Sequence, residues 1–195
     1  MSATDRQDMS LLARLTAALV EFEPSLIEAN GRRQAAVALL LRERARGLEL
    51  LVIRRAENEY DPWSGHMALP GGGYEPGDSS VYDTARRETL EEIGIDLDEG
   101  QFLGRLDDVG PRRMPGQLVV STVVAAIDAE PGPLDQREVV EAFWVPVDNL
   151  VDETVEIPDF PGSWPAFTYK DHYIIWGLTH RILTQLWNLI PSSPL

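Results

Sequence analysis

The residues of this chain best suited to chemistry crowd into one stretch. Glu88, Glu91 and Glu92 stand at i, i+3 and i+4. On a helix turning about 100° per residue they project within an arc of about 100°. Carboxylates this close repel one another by a few tenths of a kcal/mol per exposed i,i+4 pair, and by more in a partly buried cleft that lacks a cation. The set suits a hard divalent cation with oxygen ligands, Mg²⁺ or Mn²⁺. Arg87 can reach Glu91 at i+4 and offset part of the repulsion. The run Gly71-Gly72-Gly73 just upstream lets backbone approach a ligand closely, and a carbonyl there can complete a metal shell. A lone acidic triplet is commonly a solvated helix face, but this one directly follows a glycine loop. Nothing resembles a zinc site, because there is no Cys and the three His are scattered.

Positioning such a triplet requires a helix, and Ser79 to Ile93 reads as one, with Gly94 placed to end it. Tyr82, Ala85, Thr89 and Ile93 form its core-facing arc. Upstream, the apolar runs Ala35 to Leu41 and Leu48 to Ile53 predict a hairpin with a charged turn over Arg42 to Gly47. A loop rich in Pro, Trp and Gly spans Asp61 to Gly77. Further strands are expected at Phe102 to Leu106, Leu118 to Ile127 and Val139 to Val145, the second buried on both faces. Pro146 to Leu150 reads as a short helical turn. The tail predicts a strand at Phe167 to Tyr169 or Tyr173 to Ile175. A helix follows, carrying Trp176, Thr179, Leu183, Leu186, Trp187 and Ile190 and stopped by Pro191.

At the other end, Leu11, Leu12, Leu15, Ala18 and Leu19 predict a helix capped by Asp8 or Ser10 and closed by Pro24. It docks on the core, or alternatively forms a dimer contact. The element order predicts an α/β (α+β) sandwich. Residues 1–195 read as one domain with a helical extension over about residues 8–22.

Composition narrows the function. Seventeen Lys+Arg against 32 Asp+Glu give a net charge of −15 over 195 residues, which argues against a general nucleic-acid binder or a protein held on anionic membranes by charge. A phosphate-bearing small substrate stays open, because a few Arg or a metal can reverse the local sign. With no Cys, disulfides and a thiol nucleophile are excluded. No apolar run approaches the roughly 18 residues that span a bilayer, and Met1 to Ser10 has no signal pattern. A cytoplasmic location is expected.

Gly72 followed by Arg87-Glu88-Thr89-Leu90-Glu91-Glu92-Ile93-Gly94-Ile95 resembles the Nudix box, Gly-x5-Glu-x7-Arg-Glu-U-x-Glu-Glu-x-Gly-U with U aliphatic, here over about residues 71–95. Asp78 replaces the first Glu, eight residues rather than seven separate it from Arg87, and Thr89 fills the first U position. The resemblance implies the Nudix fold, a mixed β-sheet packed between helices. It also implies metal-dependent hydrolysis of a nucleoside diphosphate linked to another group. Carried over residue by residue, Glu91, Glu92 and the Gly71 carbonyl would hold metal. Glu88 would bind metal or serve the general base, and Arg87 would orient the glutamates. Homodimers are common in the family.

Asp61-Pro-Trp-Ser-Gly-His-Met-Ala-Leu-Pro-Gly-Gly72, the extra residue before Arg87, and Ile175-Trp-Gly-Leu-Thr-His-Arg-Ile-Leu183 resemble the coenzyme A diphosphatase-like bacterial branch. That branch implies coenzyme A as substrate, cleaved to 3′,5′-ADP and 4′-phosphopantetheine. ADP-ribose, another nucleotide sugar or a dinucleoside polyphosphate is the alternative, and a non-catalytic Nudix-fold sensor is the alternative from another class. The branch's Leu-Leu-Thr-x-Arg-Ser start stands here as Leu51-Val-Ile-Arg-Arg-Ala56, and its Leu-Arg-x-His element is replaced by Glu59-Tyr-Asp-Pro62.

A further catalytic Glu from a downstream loop is assigned to Glu138, with Glu141 the runner-up. Arg112 and Arg113 can clamp phosphates by bidentate bonds, and Arg55 is a third phosphate candidate. Trp63 or Tyr60 can stack on adenine or anchor the loop by packing. His66 reads as a hydrogen-bonded structural residue.

Overall fold

The computed structural model describes residues 9–57, 63–111, 117–158, 160–170 and 172–190. The first strands, β1 (Arg33–Arg44) and β2 (Gly47–Arg55), are longer than the apolar runs that announce them. They pair antiparallel only over Leu41–Arg44 and Gly47–Leu50. Arg42, Glu43 and Arg44, expected in the turn, are therefore strand residues. The two arginines are paired, as in the Arg42 Nε to Glu49 Oε2 bond across the sheet at 2.6 Å.

Beyond that short ladder β1 and β2 part, and two short strands fill the gap. These are β3 (Met67–Ala68) on β2 and β4 (Gly71–Gly73) on β1. On the far side of β1 lies β6 (Leu118–Ala126), parallel to it over nine residue pairs, and β5 (Gln101–Arg105) pairs with β6. β7 (Val139–Pro146) pairs with β2, completing a seven-stranded mixed sheet. β6 is buried on both faces along nearly its whole length, as its unbroken Val, Thr and Ala run predicts.

Each face of this sheet carries its own core. On one face α2 (Val81–Ile93) packs Ala85 and Ile93 against Ala36, Ala38, Leu51, Ile53 and Val123. On the other lie α1 (Leu11–Glu21), α3 (Gly177–Asn188) and a second sheet, contributing Leu15, Leu19, Phe167, Ile175, Ile182 and Leu186. Each such side chain stabilises the fold by about 1.5–3 kcal/mol when buried. The Ser10 hydroxyl caps α1 by accepting from the Ala13 N–H at 3.3 Å; Asp8, the other cap candidate, and Pro191 lie outside the described residues.

The second sheet is β10 (Tyr173–Trp176), β9 (Phe160–Tyr169) and β8 (Val151–Ile157), all antiparallel. Both tail strands suggested by sequence are present, within a larger sheet. Trp176 ends β10 rather than sitting on the helical stripe. The whole is an α+β sandwich, a mixed sheet between helices. Among the described residues no helix is long and apolar enough to cross a membrane.

Candidate active site

The Ser80 hydroxyl caps α2 by accepting from the Asp83 N–H at 3.2 Å, and Gly94 ends the helix in the left-handed conformation. Ala85, Thr89 and Ile93 are fully buried, as the spacing requires. Tyr82 is half-buried and donates to Asp98 at 3.0 Å. The three glutamates do not share one environment, because their arc straddles the edge of the buried stripe. Glu92 is 2% exposed, while the side chains of Glu88 and Glu91 are 13% and 60% exposed.

Two glycines of β4 fit around these carboxylates. The Gly71 N–H donates to Glu92 Oε2 at 2.8 Å. Gly72 lies flat against Glu88, where a Cβ would stand 2.5 Å from the carboxyl carbon. Burial pushes the Glu92 carboxyl up to about 8; Glu88 and Glu138 add to the rise, while the Gly71 amide and the Arg55 charge oppose it. Burial also raises Glu88, against the pull of Arg87.

Arg87 organises this end of the site. Its Nε and Nη2 bond Asp78 Oδ1 and Oδ2 at 3.1 and 3.0 Å. Nη2 also reaches the Gly73 carbonyl at 2.9 Å, and Nη1 reaches Glu88 at 3.0 Å and Glu91 at 3.3 Å. Asp78 is buried and accepts in addition from the Glu75 N–H and the Thr84 hydroxyl, each at 2.9 Å. The shorter acid and the extra residue before Arg87 are thus accommodated, with Asp78 serving as the anchor of the guanidinium. The Arg87 fork holds the Asp78 carboxyl well below the usual carboxylate range.

Asp78→Asn is expected to cost about 2–3 kcal/mol at pH 7, because it leaves a partly buried guanidinium short of its counter-charge. A depressed folded-state pKa gives stability that is present above the unfolded value and lost as pH falls. The difference between wild type and variant in urea denaturation should therefore shrink below about pH 4.

The opposite wall comes from the segment before β7. The Gly132 and Asp135 N–H groups donate to the last carbonyls of α2, Ile93 O at 2.8 Å and Glu92 O at 3.0 Å, while the Ala56 N–H donates to Glu138 O at 2.8 Å. Between this segment and α2 lies a cleft of about 300 Å³, lined by Glu88, Glu91, Glu92, Asp135, Arg137 and Glu138. Glu138 therefore joins the helix glutamates.

Glu141 does not. The register shift between Arg54 and Arg55 opposes Arg54 to Glu141 and Arg55 to Val139. This bulge reverses the alternation of β7. Glu141 instead pairs with Arg54 at 2.7 Å and accepts from the Tyr173 hydroxyl at 2.8 Å, on the α3 side.

Arg55 ends β2 on the cleft side, near enough to bias Glu92. Arg112, Arg113 and Tyr60 lie outside the described residues. Trp63 is 38% exposed. His66 accepts at its carbonyl from the Arg55 N–H at 3.1 Å, and its ring packs against Phe160 and Trp176, the structural part expected of it. Asp135 and Arg137 were not singled out by sequence, although Asp-x-Arg directly before Glu138 is the spacing at which an Asp side chain meets the N–H two residues on.

No three Asp, Glu or His side chains among the described residues converge tightly enough to hold one ion as they stand, Glu91 being turned to Arg87. In donor chemistry the site is a ring of carboxylates, one of them buried, against a glycine backbone.

Residues 31–164 match the family model of the NUDIX domain. A protein described as mitochondrial coenzyme A diphosphatase NUDT8, from Mus musculus, is 29% identical, covering 95% of this chain and 87% of that protein. An uncharacterized protein of Schizosaccharomyces pombe is 42% identical over 108 residues, 52% of this chain, which spans 33% of that relative's length. In three dimensions, a MutT/nudix family protein from Enterococcus faecalis superposes with a TM-score of 0.57 at 22% identity, covering 96% of this chain and 74% of that one. This last similarity concerns the fold.

Proposed function

From the premise that this chain belongs to the Nudix hydrolase family, we propose that it is a Mg²⁺- or Mn²⁺-dependent diphosphatase acting on coenzyme A or a derivative, releasing 3′,5′-ADP and 4′-phosphopantetheine. The observation that carries the metal-dependent chemistry is the buried Glu92 facing one cleft with Glu88, Glu91 and Glu138. A carboxylate so buried ionises readily only when a cation meets it, and an all-oxygen donor set fits a hard divalent ion.

Glu88, Glu91, Glu92 and the Gly71 carbonyl would hold the metal. When bound, such an ion neutralises phosphoryl charge and lowers the pKa of a coordinated water. The chain's own residues do the rest. Arg87, fixed by Asp78, holds Glu88 in place. Glu88 and Glu138 line the cleft from its opposite walls, and Glu138, or Glu88 where it is not a metal ligand, would take the proton of an attacking water. Arg55 adds positive charge at the end of β2, where a phosphate oxygen would gain from it. Support for coenzyme A comes from the 29% identity to a coenzyme A diphosphatase over nearly the whole chain.

The test is product analysis by mass spectrometry. Purified protein with Mg²⁺ or Mn²⁺ is offered coenzyme A, acyl-CoA, ADP-ribose, NADH, dinucleoside polyphosphates and nucleoside triphosphates. Preferred release of 3′,5′-ADP from coenzyme A is the expected result, abolished by EDTA. Preferred cleavage of another member would overturn the substrate while retaining the chemistry. Metal binding without cleavage of any member would favour a sensor.

A further inference from the structure

We infer that Arg137 is the substrate-binding residue that receives a phosphate at the rim of the cleft, held ready for it by Asp135. The inference rests on the diphosphatase reading above. The cleft and its substrate are of like charge. Of the six described residues lining the cleft, five are carboxylates and Arg137 is the one cation. An anionic substrate approaching from solvent meets a repulsive field unless some group on its path is positive.

The geometry of Arg137 meets that need. Its side chain is 87% exposed, yet it is not loose. Nε and Nη2 both bond the Asp135 carboxylate, which also accepts from the Arg137 backbone N–H at 3.0 Å. Asp135 in turn is tied through its own N–H to the Glu92 carbonyl at 3.0 Å. Hydrogen bonds thus run in series from the Glu92 backbone carbonyl through Asp135 to the guanidinium on the opposite wall. The Nη1 group has no partner among the described residues, so its N–H donors are left for a ligand. A guanidinium fork fixed in advance loses little side-chain freedom on meeting a phosphate.

An ion pair kept only for the fold would sit elsewhere at no loss, because exposed pairs of this kind contribute little stability. Here the pair sits directly before Glu138, on the segment that, among the described residues, faces α2 across the cleft.

The full chain, as wild type, Arg137→Gln, Arg137→Lys and Asp135→Asn, is titrated with ADP in the presence of Mg²⁺ by calorimetry. Steady-state kinetics are measured on the substrate that the panel identifies. Arg137→Gln should weaken ADP binding and raise KM roughly tenfold, the loss expected for one hydrogen bond to a charged group, with kcat within about threefold. Arg137→Lys should recover part of the affinity, since it keeps the charge and loses the fork. Asp135→Asn should fall between wild type and Arg137→Gln. The affinity of wild type should also decline more steeply with salt than that of Arg137→Gln. Equal ADP affinity and KM in wild type and Arg137→Gln would overturn the inference and leave the diphosphatase reading intact. So would a fall in kcat with KM unchanged. A wild type that neither binds ADP nor cleaves any panel member would overturn both.

Discussion

Glu92→Gln is expected to give a protein that turns over about 10³-fold more slowly, equivalent to about 4 kcal/mol of transition-state stabilisation, and that is more stable than wild type when metal is stripped away. The second half follows from burial. Glu92 is 2% exposed, and its carboxyl is pushed up to about 8. Between the ordinary carboxylate value and pH 8 the folded chain keeps a proton that the unfolded chain releases. Metal-free stability therefore falls as pH rises through that window, by at most about 1.4 kcal/mol per pH unit.

Gln carries no charge, can still accept the Gly71 N–H, and removes that dependence. Urea denaturation in EDTA should show the variant ahead by about 2–4 kcal/mol at pH 8 and level with wild type near pH 4. Adding Mg²⁺ should stabilise wild type more than the variant, which keeps the other ligands but has lost one carboxylate charge. Turnover near the wild-type rate would remove Glu92 from the role given to it, whatever the stability data showed.

Gly71→Ala should be the most damaging small substitution at the site. Gly71 has φ +145°, and a Cβ there would lie 2.3 Å from the Ala36 carbonyl oxygen and 2.6 Å from the Val37 Cα. Both are backbone atoms of β1, so neither can swing aside. An unfolding cost of about 3–5 kcal/mol is expected from strain and overpacking together. Activity should fall further than stability at temperatures where the variant is still folded, because the Gly71 N–H that holds Glu92 must move with the strand. Gly73→Ala is the control. Nothing lies within 4 Å of its Cβ position, and melting and turnover close to wild type are expected. Equal melting temperatures for the two variants would mean that β4 does not hold the register described.

The acidic helix was legible because its signals are local: a Gly stop, a core arc and a dense motif. The elements that sequence missed are held by partners far along the chain. Gly71–Gly73 has almost no intrinsic strand preference and is extended because β1 pairs with it over Ala35–Val37. β8 is exposed along most of its length, so it offers no apolar alternation. Of β9 only the end, Phe167 to Tyr169, was expected, because its first half contains Pro161, Gly162 and Pro165, which argue against a strand. Those residues are tolerated because β10 covers β9 only from Ala166 to Tyr169, leaving the proline half with a single neighbour. The choice between Glu138 and Glu141 turned on a one-residue bulge that no periodicity reveals. Asp78 could be matched to the motif only imperfectly, and its part became clear only in its bonds to Arg87.

The long parallel ladder between β1 and β6 bears on how the protein comes to be active at all. Arg33 lies opposite Leu118 and Leu41 opposite Ala126, so the whole glycine loop, acidic helix and β5 are looped out between the two strands. Closing a loop of that length is entropically costly before any contact rewards it, and such topologies fold slowly. The strand that seats Gly71 and the sheet face that seats α2 both depend on that closure. Competence for hydrolysis should therefore arrive in refolding together with global structure, and a chain shortened before β6 would carry every residue of the motif without a site.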